Sequence, residues 1–234
     1  MRSLILVAGL AVLAAPMAAQ QADSSKTMKH DSGMHMQHMQ HEDADQAVAG
    51  GGHLPEGWAT RTDRNASPAN DKFETMGSGF HVTSGPAAIY YRATDAVEGP
   101  FHTLASFTQT KEPKHPEAYG LFYAGRDLQG PNQQYTYFEV RGDGKYLVKG
   151  RQGDSTYTIQ DWTANPAVHA AGDDGTATNK LEIDAKSQPG KVRFLANGQE
   201  VYSMAAKPDD LKGIVGLRVN HNLSVHIAGF AVHK

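Results

Sequence analysis

The chain contains no cysteine. No disulfide can form even in an oxidising compartment, so the folded part must stand on its apolar core alone. A lipobox cysteine is equally absent, which excludes a lipid anchor of the bacterial kind. Charge of one sign is also missing. Lys and Arg number 22 against 25 Asp and Glu, mixed along the chain, which leaves no electrostatic footprint for nucleic acid and no basic amphipathic stretch for a membrane surface. Long apolar runs are scarce. The N-terminal "LILVAGLAVLAA" is shorter than the ~20 residues a membrane span requires. It follows Arg2 and is broken by Pro16, with small residues at Ala18 and Ala19, the layout of a secretory signal peptide over residues 1–20 cleaved between Ala18 and Gln20. The protein is therefore expected to be exported, periplasmic or extracellular, with no membrane anchor after cleavage.

Beyond the signal the chain turns polar and unusual. Residues 21–53 show no apolar period of two or of 3.6, and they end in "GGGH", so they read as a disordered tail and linker. Within them "MHMQHMQH" and its flanks bring together Met28, His30, Met34, His35, Met36, His38, Met39 and His41. Thioether sulfur prefers Cu(I), and imidazole suits Cu(II), Zn(II) or Ni(II), so this tail is expected to bind copper or a similar metal. Binding should weaken below about pH 6.5, where imidazole protonates. No cofactor is required by anything else in the chain.

From Leu54 to Lys234 the texture changes to short alternating apolar runs separated by Gly, Pro, Asn and Asp, and long amphipathic helices are lacking. About a dozen such runs predict an all-β domain over 54–234, a two-sheet antiparallel β-sandwich or jelly roll with very little helix. Two hairpins are signalled: Asp143-Gly144 lies between two alternating runs, and Asn197-Gly198 lies between two more, the residues a tight turn demands because both central positions need positive φ. Alternation also assigns faces. Phe101, Thr103, Ala105 and Phe107 share one side of their strand; Tyr135, Tyr137, Glu139 and Arg141 oppose Thr136, Phe138 and Val140 on theirs. Tyr135, Tyr137, Glu139 and Arg141 form a polar-aromatic row, able to line a ligand groove or to be the wet face of a sandwich.

The segments "NKLEIDAKSQPGKVRFLANGQEVYSM", "GIVGLRVNHNLSVHIAGFAVHK" and "EAYGLFYAGRDLQGPNQQYTYFEVRGDGKYLVKGR" resemble the concanavalin A-like lectin/glucanase superfamily, in particular laminin-G-like and 3-keto-disaccharide-hydrolase-like domains. The resemblance spans residues 73–234 and implies a jelly roll that hosts lectins, hydrolases and adhesion modules alike. Laminarinase-type members carry an E-x-D-x-x-E strand. Here Glu182 and Asp184 match, but Ser187 stands where the second catalytic carboxylate is needed, so no catalytic residues are assigned.

Three further places could meet a ligand. In "KEPKHPEAYG", two prolines stiffen a loop presenting His115 and Glu117 just before Tyr119. The polar-aromatic row is the second. Trp162, one of only two tryptophans, lies at a strand-to-loop boundary where its ring could stack on a sugar. The adjacent Asp173 and Asp174 lack the spacing of a calcium loop and read as a turn. These features point to an exported, non-catalytic binding module whose ligand, by the resemblance, is a glycan. The rivals are a glycoside-cleaving enzyme of the 3-keto-disaccharide-hydrolase-like type and a periplasmic copper-handling protein.

Overall fold

A computed structural model of the protein describes residues 44–234. The expected signal peptide and all eight metal-ligand candidates of the tail lie outside the described residues. The rest is built from fourteen strands: β1 (Trp58–Thr62), β2 (Lys72–Met76), β3 (Gly79–Thr83), β4 (Ala88–Val97), β5 (His102–Gln109), β6 (Ala118–Arg126), β7 (Gln134–Arg141), β8 (Lys145–Gln152), β9 (Ser155–Ala164), β10 (Ala177–Asp184), β11 (Lys191–Ala196), β12 (Gln199–Ala205), β13 (Gly213–Val219) and β14 (Ser224–His233). Among the described residues the only helices are three single 3-10 turns. Two seven-stranded sheets result, ordered β1-β4-β13-β6-β7-β8-β9 in the first and β12-β11-β10-β5-β14-β3-β2 in the second. All pairings within them are antiparallel. This is the expected all-β sandwich.

Period-two alternation explains the packing. Phe101, Thr103, Ala105 and Phe107 are fully buried, while His102, Leu104, Ser106 and Thr108 between them are half-buried on the outer side. Across the interior they meet Tyr119, Leu121, Tyr123, Phe138 and Val140 of the first sheet in one continuous core. Phe107 stacks on Tyr119 with ring centroids 5.4 Å apart, and Phe138 meets Phe194 at 5.5 Å. A second apolar cluster, formed by Ile89, Tyr91, Phe122, Leu128, Tyr135, Tyr137 and Leu147, lies on the other side of the first sheet. That sheet is therefore covered on both faces, which matters for the site.

The two signalled hairpins turn differently. The Asn197-Gly198 hairpin has both central residues at positive φ, 52° and 81°, as a tight two-residue turn requires. The other expected hairpin forms too, through a longer loop. Arg141 pairs with Lys145, so its loop is the three residues Gly142–Gly144; Gly144 alone takes positive φ, 77°, and its amide donates to the Arg141 carbonyl. That is a turn closed by a glycine bulge, the next commonest hairpin solution.

The "GGG" stretch, read from sequence as the end of a flexible linker, is docked over its described part. Gly51 accepts a hydrogen bond from the Phe73 amide and bridges to Lys72. A Cβ on Gly50 would fall 1.7 Å from the Ala69 carbonyl oxygen, and one on Gly52 would fall 1.8 Å from that of Phe73. These glycines serve close backbone approach as well as turning. Farther upstream, Gln46 bonds through its amide to Asn222 and through its side chain to the Ser84 carbonyl. The folded unit thus reaches ahead of the expected start at residue 54.

Candidate functional site

The polar-aromatic row predicted on β7 does share one face, the outer face of the first sheet, opposite the core residues Phe138 and Val140. Whether it is open or covered decides its use. Tyr135, Tyr137 and Glu139 are all buried, Glu139 at 1% exposure. The cover comes from Arg218 of β13. Register places Arg218 opposite Gly120 of β6, and Gly120 opposite Glu139, so the position between them carries no side chain. A Cβ on Gly120 would strike the Phe138 carbonyl oxygen at 1.9 Å, so only glycine fits there. Over that gap the Arg218 guanidinium lies 4.9 Å from the Tyr137 ring centroid, in cation-π contact.

Arg218 is the hub of an ionic cluster. Its terminal nitrogens donate to the Asp63 carboxylate at 2.8 and 3.3 Å and to the Tyr135 hydroxyl at 3.1 Å. Arg151 of β8 reaches the same carboxylate at 2.8 Å. Burial works against the Asp63 anion, yet Arg218 and Arg151 more than offset it and hold its pKa below the usual carboxylate range. Glu139 fares differently. It approaches Arg218 Nε at 3.3 Å without hydrogen-bond geometry, and Glu139 Oε1, Arg218 Nε and Arg151 Nε are buried atoms lacking a hydrogen-bond partner. Burial raises the Glu139 pKa to about 7, only partly countered by Arg218.

The row opens at one end. Arg141 is half-buried, locked by two bonds to Asp143 at 2.7 and 2.8 Å, and its guanidinium lies 4.2 Å from the half-buried Trp162 ring. Glu117 lies just before Ala118, which pairs with Arg141. Glu117 accepts from His221 Nε2 at 2.8 Å, and the other ring nitrogen meets Asp45 at 3.1 Å. The bond to Glu117, with help from Asp45, raises the His221 pKa.

The remaining predicted residues separate. His115 is exposed on its loop. Tyr119 is a core residue: it is fully buried, stacked on Phe107, and its hydroxyl accepts from Asn179. His115, Glu117 and Tyr119 do not converge, and Tyr119 is out of reach of a ligand. β6 is buried along almost its whole length, so the alternation argument that would have placed Tyr119 had no polar partner residues to read. Sequence reasoning missed Asp63, Arg151 and Arg218. One signal was available: Arg218 interrupts the apolar run of β13, where a buried arginine demands a carboxylate.

Glu182 and Asp184 are occupied elsewhere, as their mismatched motif implies. Glu182 pairs with His102 and Lys180, and Asp184 takes the Lys186 and Ser187 amides at a turn. Among the described residues no group of three or more His, Asp or Glu is placed to hold a metal.

No family model matches the chain, and no curated protein matches it in sequence. Solved structures do match in shape. The fold is the concanavalin A-like jelly roll. A carbohydrate-binding module, CBM66, from Bacillus subtilis superposes with a TM-score of 0.54 at 12% identity, covering 76% of this chain and 96% of that one. A Bacillus licheniformis β-glucanase gives 0.51 at 10% identity, covering 78% and 94%. A protein of unknown function with a galectin-like fold, also from Bacillus subtilis, gives 0.52 at 11%, covering 76% and 89%. Within this jelly roll, the outer face of the first sheet is a filled ionic and aromatic layer whose half-buried fringe is the Arg141–Trp162 end.

Proposed function

We propose that the domain is a non-catalytic carbohydrate-binding module that uses the Arg141–Trp162 end of the first sheet. The observation carrying this reading is the Trp162 ring, held in place by an arginine that is itself locked by Asp143. A rigid, half-buried indole suits the apolar face of a sugar ring, and fixed polar groups beside it select hydroxyls at little entropic cost. A solved carbohydrate-binding neighbour of the same fold supports it. Titration of the protein with a panel of neutral oligosaccharides is expected to show binding without product release. Trp162→Ala should weaken that binding about tenfold, or ~1.4 kcal/mol. Unchanged affinity in the variant would rule this end out as the binding site.

A hydrolase is disfavoured by the same geometry. Glu139 has the raised pKa of a general acid, but it is sealed beneath Arg218 and Tyr137, out of reach of a glycosidic oxygen. Release of sugar products would reverse this judgement.

We propose in addition that the protein is exported and that its N-terminal Met/His segment binds copper. The support is compositional: the apolar run after Arg2, and Met and His recurring together from Met28 to His41. Cu(I) titration of the mature protein is expected to show at least one equivalent that is lost when the four tail methionines become Ile and the four histidines Asn. Equal stoichiometry in both would refute it.

A further inference from the structure

At the far end of the strands from Trp162, the sandwich opens into a cleft of about 390 Å³. Its lining includes Tyr123, Arg126, Gln134, Arg151, Tyr157 and Met204. β7 separates the two ends, eight residues or roughly 25 Å at ~3.3 Å each. We propose that this cleft is a second carbohydrate subsite, and that it takes a saccharide bearing a carboxylate, a uronic acid. The proposal rests on the carbohydrate-binding reading and extends it to a separate place on the domain.

Three observations converge. First, Tyr157 is 54% exposed, one of only two large hydrophobic side chains so exposed among the described residues. Its ring is seated on a platform: a Cβ on Gly150, in the neighbouring strand, would fall 2.1 Å from the ring carbon Cζ. A solvated aromatic ring backed by bare backbone at a cleft is positioned to stack on a pyranose. Second, the backbone beside the cleft is strained. Pairing of β6 shifts register between Tyr123 and Arg126, and within that bulge Ala124 takes φ 56°, with Asp127 at 48° just beyond. A left-handed conformation crowds the Cβ of a non-glycine residue against its own backbone. Bulges of this kind re-aim side chains, and strain of this kind concentrates at ligand sites.

Third, the charges favour an anion at Arg126. Its Nη2 donates to the carbonyls of Asp209 at 2.6 Å and Lys212 at 3.4 Å, which fix the guanidinium without neutralising it. Among the described residues Arg126 forms no ion pair, and the nearby Asp209 pairs with Lys212. Asp210 also lines the cleft; it accepts from the Lys207 amide and keeps its charge, so the anion is drawn to the Arg126 side. A guanidinium edge matches a carboxylate in two parallel hydrogen bonds. The cleft volume falls in the range of small-ligand sites, ~300–1,000 Å³.

Calorimetry on the full mature protein tests this with trigalacturonate and, for contrast, the neutral galactose trimer. Trigalacturonate is expected to bind at least tenfold more tightly than the neutral trimer, with the preference shrinking as salt is raised. Tyr157→Ala should lose at least tenfold in trigalacturonate affinity while Tyr157→Phe retains it, because the ring face and not the hydroxyl makes the contact. Arg126→Gln should abolish the preference for the acid. Wild-type trigalacturonate binding in both Tyr157→Ala and Arg126→Gln would overturn the assignment. Neutral oligosaccharides binding through Trp162 with no uronate binding at all would overturn the cleft and leave the carbohydrate reading standing. Failure of every saccharide to bind would overturn both.

Discussion

Replacing Arg218 by methionine is expected to destabilise the domain by about 3–5 kcal/mol, the cost of removing one partner from a buried ionic cluster. The groups left behind account for the size. Asp63 would lose both bonds from Arg218 and keep the one from Arg151, and the Tyr135 hydroxyl would lose its donor. Glu139 would lose the nearest positive charge while remaining sealed. Methionine fills much of the volume over Gly120 and Tyr137, so the loss is electrostatic more than a cavity effect. Urea unfolding at pH 7 measures it. Arg218→Lys should restore little, because one ammonium cannot serve two carboxylate oxygens and a phenol from that position. Adding Glu139→Gln to the methionine variant should recover part of the loss, since without Arg218 the buried Glu139 must hold a proton at pH 7 and glutamine does not. Strict additivity of the two changes would show that Glu139 and Arg218 do not interact.

The cluster also explains what sequence could and could not say. Alternation placed Tyr135, Tyr137, Glu139 and Arg141 on one face because a pleated strand leaves no other choice, and the same rule recovered the core side of β5. It could not say what covers that face. The cover is Arg218, far along the chain, brought next to β6 only because β13 inserts between β4 and β6. Strand order in a jelly roll is a long-range property, and no local pattern encodes it. Asp63 was hidden for a related reason: it sits in a 3-10 turn after β1, with no periodicity to mark which way its carboxylate points.

Glycine and turn chemistry were legible in kind but not in consequence. Asn197-Gly198 named its own turn, since both residues tolerate positive φ. Asp143-Gly144 carries the same dipeptide logic, yet Asp143 keeps negative φ because Gly142 ahead of it lengthens the loop. In "GGG" the glycines were read for flexibility, whereas the neighbouring carbonyls of Ala69 and Phe73 leave no room for a side chain. Absence of a Cβ looks the same in a sequence whether it grants freedom or permits contact.

Glu139 gives a second large effect, of distinctive pH dependence. Its pKa rises from the ordinary 4.5 in water to about 7 in the fold, because burial penalises the anion more than Arg218 rewards it. The folded state therefore holds this proton more tightly than the unfolded chain does. The stabilisation is fully present below about pH 4.5 and is lost as pH climbs through about 7. At 1.36 kcal/mol per pH unit the loss approaches about 3 kcal/mol by pH 8 to 9. Glutamine mimics the protonated acid in shape and cannot ionise. Glu139→Gln should thus match the wild type near pH 4.5 and exceed it by about 3 kcal/mol in alkaline buffer, read from urea midpoints across the range. Asp63 does not blur the comparison, because its depressed pKa gives a stability loss on acidification that both proteins share. Parallel curves would mean that Arg218 holds Glu139 ionised throughout, and the cluster would then be two closed ion pairs with no spare proton. Divergent curves would mean that the outer face of the first sheet stores a titratable acid beneath an arginine lid, close to neutral pH and next to the residues proposed to meet a glycan.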